Sequence, residues 1–255
     1  MDKEDFKKIT NNKNFIPGIY NYCDRWCEKC AFTSRCSNYA VSQEIFDEIE
    51  NDNEKLFEAL SDIFRITMEL IEETAEKLDI DLSQIDTEII KEEETFDENN
   101  EACLQLARNY AKNVSAWFDE HKEDLHAKEN EYNSLLELGV SEEKVKQQAN
   151  ELKNFTDVIY WYQHFIEVKL HRALPDKNFQ LEMSFDGMED DMNGSAKVAL
   201  IAIDRSIGAW GKFLQYFPDA EDSILEILVL LNKIRKLTEV KFPHARTFIR
   251  PGLDE

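Results

Sequence analysis

The sequence predicts an all-α protein, a helical bundle of four to five long helices carrying an irregular, cysteine-rich, metal-binding head at its N-terminus. Three observations carry that expectation. Only 7 Gly and 5 Pro punctuate 255 residues, too few for the many turns an all-β chain of this length needs. Long stretches rich in Glu, Lys, Leu, Ile and Ala recur, with apolar residues at helical rather than alternating spacing. Four of the five cysteines crowd into residues 23–36, ahead of the first such stretch.

Composition bounds the rest. Hydrophobic residues make up 42% of the chain and Phe numbers 16, enough for a sizeable core. The formal net charge of -23 repels phosphate backbones and anionic head groups, so neither nucleic acid nor a membrane is expected as a partner. No run approaches the roughly 20 apolar residues of a membrane helix, and MDKEDFKK is followed by no apolar signal core. The chain therefore reads as cytoplasmic, where thiols stay reduced and disulfides are the weaker account of its cysteines.

Residues 1–40, with Pro17 and Gly18, form the irregular head. Residues 41–240 form the bundle, and 241–255 a tail packed back upon it. The first helical stretch ends near Leu78, with Leu56, Leu60, Ile63, Phe64, Ile71 and Leu78 on one face. An acidic connector over 79–100 has room for one short helix. A second helix spans 101–124, with Cys103, Ala107, Tyr110, Val114, Phe118, His121 and Leu125 on one side. A break at 139–141 offers Ser141 as N-cap of a long third helix that ends before Pro175. A loop of about 20 residues, containing Asp186-Gly187 and Asn193-Gly194, leads to a fourth helix over 195–217. Pro218-Asp219 restarts the chain into a fifth, whose apolar run spans 227–231.

The head carries the chemistry. Its spacing is Cys23-x3-Cys27-x2-Cys30-x5-Cys36, and the other 241 residues hold one cysteine. Thiolates are soft ligands for zinc or iron–sulfur clusters, and four close either site. The two separated C-x2-C pairs usual in structural zinc modules are absent. The segment CEKCAFTSRC resembles the C-x2-C-x5-C part of the [4Fe-4S] staples of some helicase-associated nucleases. It is also similar to cluster-binding segments of radical enzymes, and Cys23-x3-Cys27-x2-Cys30 matches the spacing of the radical-SAM triad. The resemblance covers 14 residues, and neither the α/β barrel nor the strand-rich nuclease core accompanies it. What it implies is a ligand role for Cys23, Cys27, Cys30 and Cys36, with a [4Fe-4S] cluster favoured and zinc the alternative. Cys103, on an apolar helix face, reads as a buried inert thiol.

Three further patterns stand beside it. Asp157, Tyr160, His164, Glu167 and His171 form one stripe on the third helix. Since Phe155, Val158, Ile159, Tyr162, Phe165 and Ile166 occupy the other side, the stripe reads first as a solvent face. Its second reading is a further metal site on His164, Glu167 and His171. Asp204, Gly208, Gly211 and Gln215 form a row whose glycines predict close backbone approach, read first as helix–helix contact and second as a groove for the tail over 242–252. Lys233, Arg235, Lys236, Lys241, Arg246 and Arg250 face only Glu239, giving a basic segment that reads as cations favouring a helix end, with a protein partner as the second reading. The sequence assigns no reaction. It leaves two functions: an iron–sulfur protein with a redox-linked role, or a non-enzymatic interaction module with structural zinc.

Overall fold

Eight α-helices and no strand form the described residues of the computed structural model, which are 3–49, 52–82, 98–174 and 188–254. The helices are α1 (Lys3–Thr10), α2 (Ser37–Ile49), α3 (Asn53–Leu78), α4 (Glu98–Glu120), α5 (Lys122–Glu137), α6 (Glu142–Ala173), α7 (Met188–Tyr216) and α8 (Glu221–Lys241). The all-α class is as the sequence predicts. Among the described residues no helix is long and apolar enough to cross a membrane. The chain divides into two compact units: Met1–Glu93 with Arg250–Glu255, and Glu94–Ile249.

The second unit is a ring of four helices in which α6 packs on α7, α7 on α8, α8 on α4 and α4 on α6. The helix faces read from sequence build its core. Cys103, Ala107, Tyr110, Val114 and Phe118 of α4 are buried, as are Ile159, Tyr162 and Ile166 of α6. Trp210 and Phe213 of α7 are fully buried and meet Trp117 edge-to-face, with ring centroids 5.2 and 5.5 Å away. Each such side chain contributes about 2–3 kcal/mol of burial, and the edge-to-face arrangement suits the ring quadrupoles. The polar ends are satisfied: Trp117 Nε1 donates to Ser223 Oγ at 3.0 Å, and Gln163 Nε2 on α6 donates to the Ala111 carbonyl of α4 at 2.9 Å.

Four boundaries differ from the sequence expectation. The helix expected over 101–124 stops at Glu120, because the His121 ring stacks on Trp117 and its Nδ1 donates to the Trp117 carbonyl at 2.9 Å, sharing an acceptor the backbone already uses. The chain restarts at once as α5, which the sequence reading left unassigned. The fourth helix starts at Met188 rather than residue 195, so Asn193-Gly194 lies inside it. Burial of Asn193, Ser195 and Ala196, together with an acidic first turn of Glu189, Asp190 and Asp191, outweighs their loop propensity. Residues 3–10 of the head are helical, so the head is not irregular throughout. The connector at 83–97 and the loop at 175–187 lie outside the described residues.

The glycine row is corrected. A Cβ on Gly208 or Gly211 would meet nothing within 4 Å, so no segment approaches there. Residues 242–249 reach α7 at Lys197 and at Asp204, the first residue of that row, but not at its glycines: Phe242 and Ala245 are buried, Lys197 donates to the Phe248 carbonyl, and Arg246 bonds Asp204. Those contacts are set by side-chain charge rather than by backbone proximity.

In the first unit, Asp52 caps α3, accepting from the amides of Glu54 at 2.9 Å and Lys55 at 3.5 Å. Asp79, in the left-handed region at φ 57°, ends it. Glu73 of α3 takes Lys3 and Lys7 of α1 at 2.5 and 3.0 Å, and these cations hold its carboxyl down at about 2. The apolar face expected of α3 does not form one buried surface. Ile66 and Ala75 are buried, whereas Phe57 and Phe64 are each 72% exposed, and Leu60, Met68, Ile71 and Leu78 continue that exposed line. An eight-residue α1 and a thirteen-residue α2 leave part of a 26-residue helix uncovered.

Replacing Trp210 with Ala should cost about 3–5 kcal/mol of the second unit's stability, read by chemical denaturation. Tyr160→Ala, at a half-exposed position, should cost under about 1 kcal/mol. Equal losses would show that the aromatic cluster is not the core.

Candidate metal centre

The four cysteines reach one place because the chain between them is folded into short turns. Gly18, at φ 73°, opens a 3-10 turn over Ile19–Asn21, and two more follow at Cys27–Lys29 and Thr33–Arg35. Each later turn closes with an amide of a cysteine: Cys30 N donates to the Cys27 carbonyl at 3.1 Å and Cys36 N to the Thr33 carbonyl at 3.2 Å. Arg25 sits at φ 59°, a conformation that costs a side chain energy and reverses the chain between Cys23 and Cys27. Asp24 accepts from the Trp26 amide at 3.2 Å across that reversal. Ile16 N donates to the Arg35 carbonyl at 2.9 Å, tying the start of the head to its end.

These turns bring Cys23, Cys27, Cys30 and Cys36 to line one small pocket of about 20 Å3. Its remaining walls are mainly apolar, formed by Ile19, Tyr20, Trp26, Phe32, Tyr39 and Leu253. All four cysteines are half-buried. Burial pushes the Cys27 thiol above the ordinary range, and the nearby Cys23, Cys36 and Cys30 push it further. The Phe32 amide donates to Cys30 Sγ at 3.4 Å, and Cys23 Sγ donates to the Tyr20 carbonyl at 3.6 Å. The Lys29 ammonium lies over the Trp26 ring, 4.1 Å from its centroid.

The donor set fits a four-thiolate metal group in number and softness, and its members line one pocket. An amide directed at a sulfur is the kind of bond that stabilises a ligating thiolate. Among the described residues, no group of three or more His, Cys, Asp or Glu is drawn into metal-holding geometry. The thiols thus share a pocket without closing on one point.

The other expected residues fall elsewhere. His164 is exposed and His171 half-buried, while Glu167 Oε1 accepts from Arg108 Nε at 2.8 Å across to α4. Arg108 also bonds Glu101 at 2.8 Å, so the 157–171 stripe is partly a salt-bridged flank of the bundle. Cys103 is buried, and desolvation raises its thiol. In the basic segment, Arg246 bonds Asp204 and Glu239, Arg235 bonds Asn232, Lys241 bonds Asn100 and Arg250 bonds Asp254. The sequence reading missed the apolar lining. Phe32 and Tyr39, interleaved with the cysteines, were a visible signal for it, whereas nothing local marks Leu253.

No protein-family model, no curated protein and no solved structure matches this chain.

In metal-free reduced protein, alkylation should modify Cys103 last, and Cys103→Ser should remove only that slow phase. A raised thiol stays protonated to higher pH, so Cys27 labelling should lag that of a free cysteine at mildly alkaline pH and catch up as pH rises. Mass-resolved labelling would refute this if Cys27 led.

Proposed function

We propose that this chain is a metalloprotein whose head holds a [4Fe-4S] cluster on Cys23, Cys27, Cys30 and Cys36 and serves a redox-linked role. The observation that carries the reading is the apolar pocket lined by all four thiols, with the Phe32 amide directed at Cys30 Sγ. Such a cluster supplies one-electron chemistry whose potential depends on net charge, hydrogen bonds to sulfur and solvent exposure. This chain's residues set each of those. Ile19, Phe32, Tyr39 and Leu253 exclude water, the Phe32 amide relieves charge on sulfur, and Arg25 lines the pocket as a cation. Between Cys23 and Cys36 the cations Arg25, Lys29 and Arg35 face only Asp24 and Glu28, the reverse of the chain's overall acidity. That local balance suits an anionic tetrathiolate centre.

The first unit also needs such a centre. Among the described residues its buried apolar side chains are Ile19, Ile66 and Ala75, while every other one belongs to the second unit. A body with so little core is stapled by disulfides or metal in comparable small domains, and metal binding then supplies folding energy.

Zinc is the second reading, and two observations favour it. A pocket of about 20 Å3 holds roughly one water-sized sphere, which suits a single ion better than a cubane. The exposed line of Phe57, Phe64 and Met68 on α3 suits a protein-interaction module. Its flank carries Glu54, Glu58, Glu72 and Glu76, so the complementary partner is an amphipathic helix with basic edges.

Protein purified without oxygen should be brown and contain about four irons and four sulfides per chain. Cys27→Ser or Cys30→Ser should remove the colour, and Cys103→Ser should leave it. One zinc without sulfide would replace the cluster by the second reading. No metal, with four titratable head thiols, would reject the centre. Stripping the metal should lower helix content only in part, since the second unit keeps its own core.

A further inference from the structure

Residues 250–254 fold into a tight turn that belongs to the same compact unit as the cysteine head. Arg250 closes the turn on Asp254. Its backbone amide donates to Oδ2 at 3.0 Å, its Nε to both carboxylate oxygens at 3.2 and 3.1 Å, and its Nη2 to Oδ1 at 2.7 Å. Both side chains are shielded, 15% and 20% exposed, so this ion pair is more firmly held than an ordinary surface pair. The amides of Leu253 and Asp254 return to the Arg250 carbonyl at 3.1 and 3.3 Å.

Inside the turn, Gly252 has φ 67°, and a Cβ there would lie 2.8 Å from both Cδ1 and Cγ2 of Ile16. Only glycine satisfies both the backbone and the contact. Ile16 in turn donates its amide to the Arg35 carbonyl, next to Cys36. The result of this construction is that Leu253 lines the thiol pocket. The charge pair and the glycine both lie outside the residues of the four-helix unit.

We propose that the 250–254 turn is a built-in cover of the four-cysteine pocket, with Arg250, Gly252 and Asp254 positioning Leu253 over the sulfurs, so that the turn sets how fast oxidants, alkylating reagents and chelators reach them. The cover rests on the pocket geometry. Its consequence for metal retention rests additionally on the metal reading given above. Bimolecular attack on a half-buried thiol is slowed to the extent that the cover shields it, so the observed rate rises with the open fraction. Weakening the cover raises that fraction without changing the thiols themselves.

The test uses the full chain in two states. In metal-free, reduced protein, an aromatic disulfide reagent should reach the head thiols about tenfold faster in Leu253→Ala than in wild type. Asp254→Asn and Gly252→Ala should show the same direction, and Leu253→Met should keep the slow rate because it refills the lining. Equal rates in wild type, Leu253→Ala and Asp254→Asn would overturn the cover. General loss of the unit's structure is distinguished by Leu253→Met and by far-UV helicity. Acceleration in Leu253→Met equal to that in Leu253→Ala, or a fall in helicity matching the acceleration, would also overturn it. In metal-loaded protein, Leu253→Ala should release metal to a chelator faster by a similar factor. Faster thiol attack with no bound metal in wild type would sustain the cover and reject the metal reading. Bound metal with unchanged thiol and release rates would do the reverse.

Discussion

The structure depends on a shortage of apolar core in the first unit. Ile19, Ile66 and Ala75 are its only buried apolar side chains among the described residues, and hydrophobic burial on that scale cannot offset the entropy of ordering the chain. The unit is instead held by specific devices. Glu73 clasps Lys3 and Lys7, Asp52 and Asp79 close the ends of α3, three 3-10 turns shape the head, and Arg250 locks on Asp254. Most are polar and partly exposed, so each holds the unit only weakly. Gathering four thiols at one pocket adds nothing favourable by itself, because ionisation of Cys27 is opposed by burial and by its neighbours. A bound cation or cluster reverses that sign, turning mutual repulsion into a shared attraction.

The two units therefore answer to different physics, and the sequence was legible in proportion. In the second, the pattern of Cys103, Ala107, Tyr110, Val114 and Phe118 maps directly onto burial, since a helix in a four-helix ring needs one continuous apolar face. Where local propensity and packing disagree, packing wins: Asn193 and Gly194 look like loop but lie in α7 because their neighbours are buried. The Gly208 and Gly211 row misled for a related reason. A glycine pair is compatible with close approach without requiring it, and here the approaching segment is steered to Asp204 by Arg246.

In the first unit the same periodicity argument fails on α3. Leu56, Ile63, Ile66 and Leu70 take one side while Phe57, Leu60, Phe64 and Met68 take the other, and only the former is covered. An apolar face in sequence records what a helix can bury, whereas what it does bury depends on how much partner surface exists. The cysteine spacing was legible because its information is local, four ligand types within one loop. The wall supplied by Leu253 was not, because it is a contact between stretches of chain with no shared pattern.

Electrostatics follows the same division. The chain's charge of -23 is uneven, and the cations are placed where they tie helices together. Arg108 joins Glu101 and Glu167, and Arg246 joins Glu239 and Asp204, each guanidinium being raised by the carboxylates it serves. At roughly a third exposed, such pairs orient elements more than they stabilise them. In the head, by contrast, Arg25 lines the thiol pocket and Lys29 lies over the Trp26 ring. A unit assembled from residues 1–93 and 250–255 has the whole of the other unit inserted in its chain. Its pocket walls thus come from both sides of that insertion, and Leu253 reaches the thiols only after the inserted helices have been made.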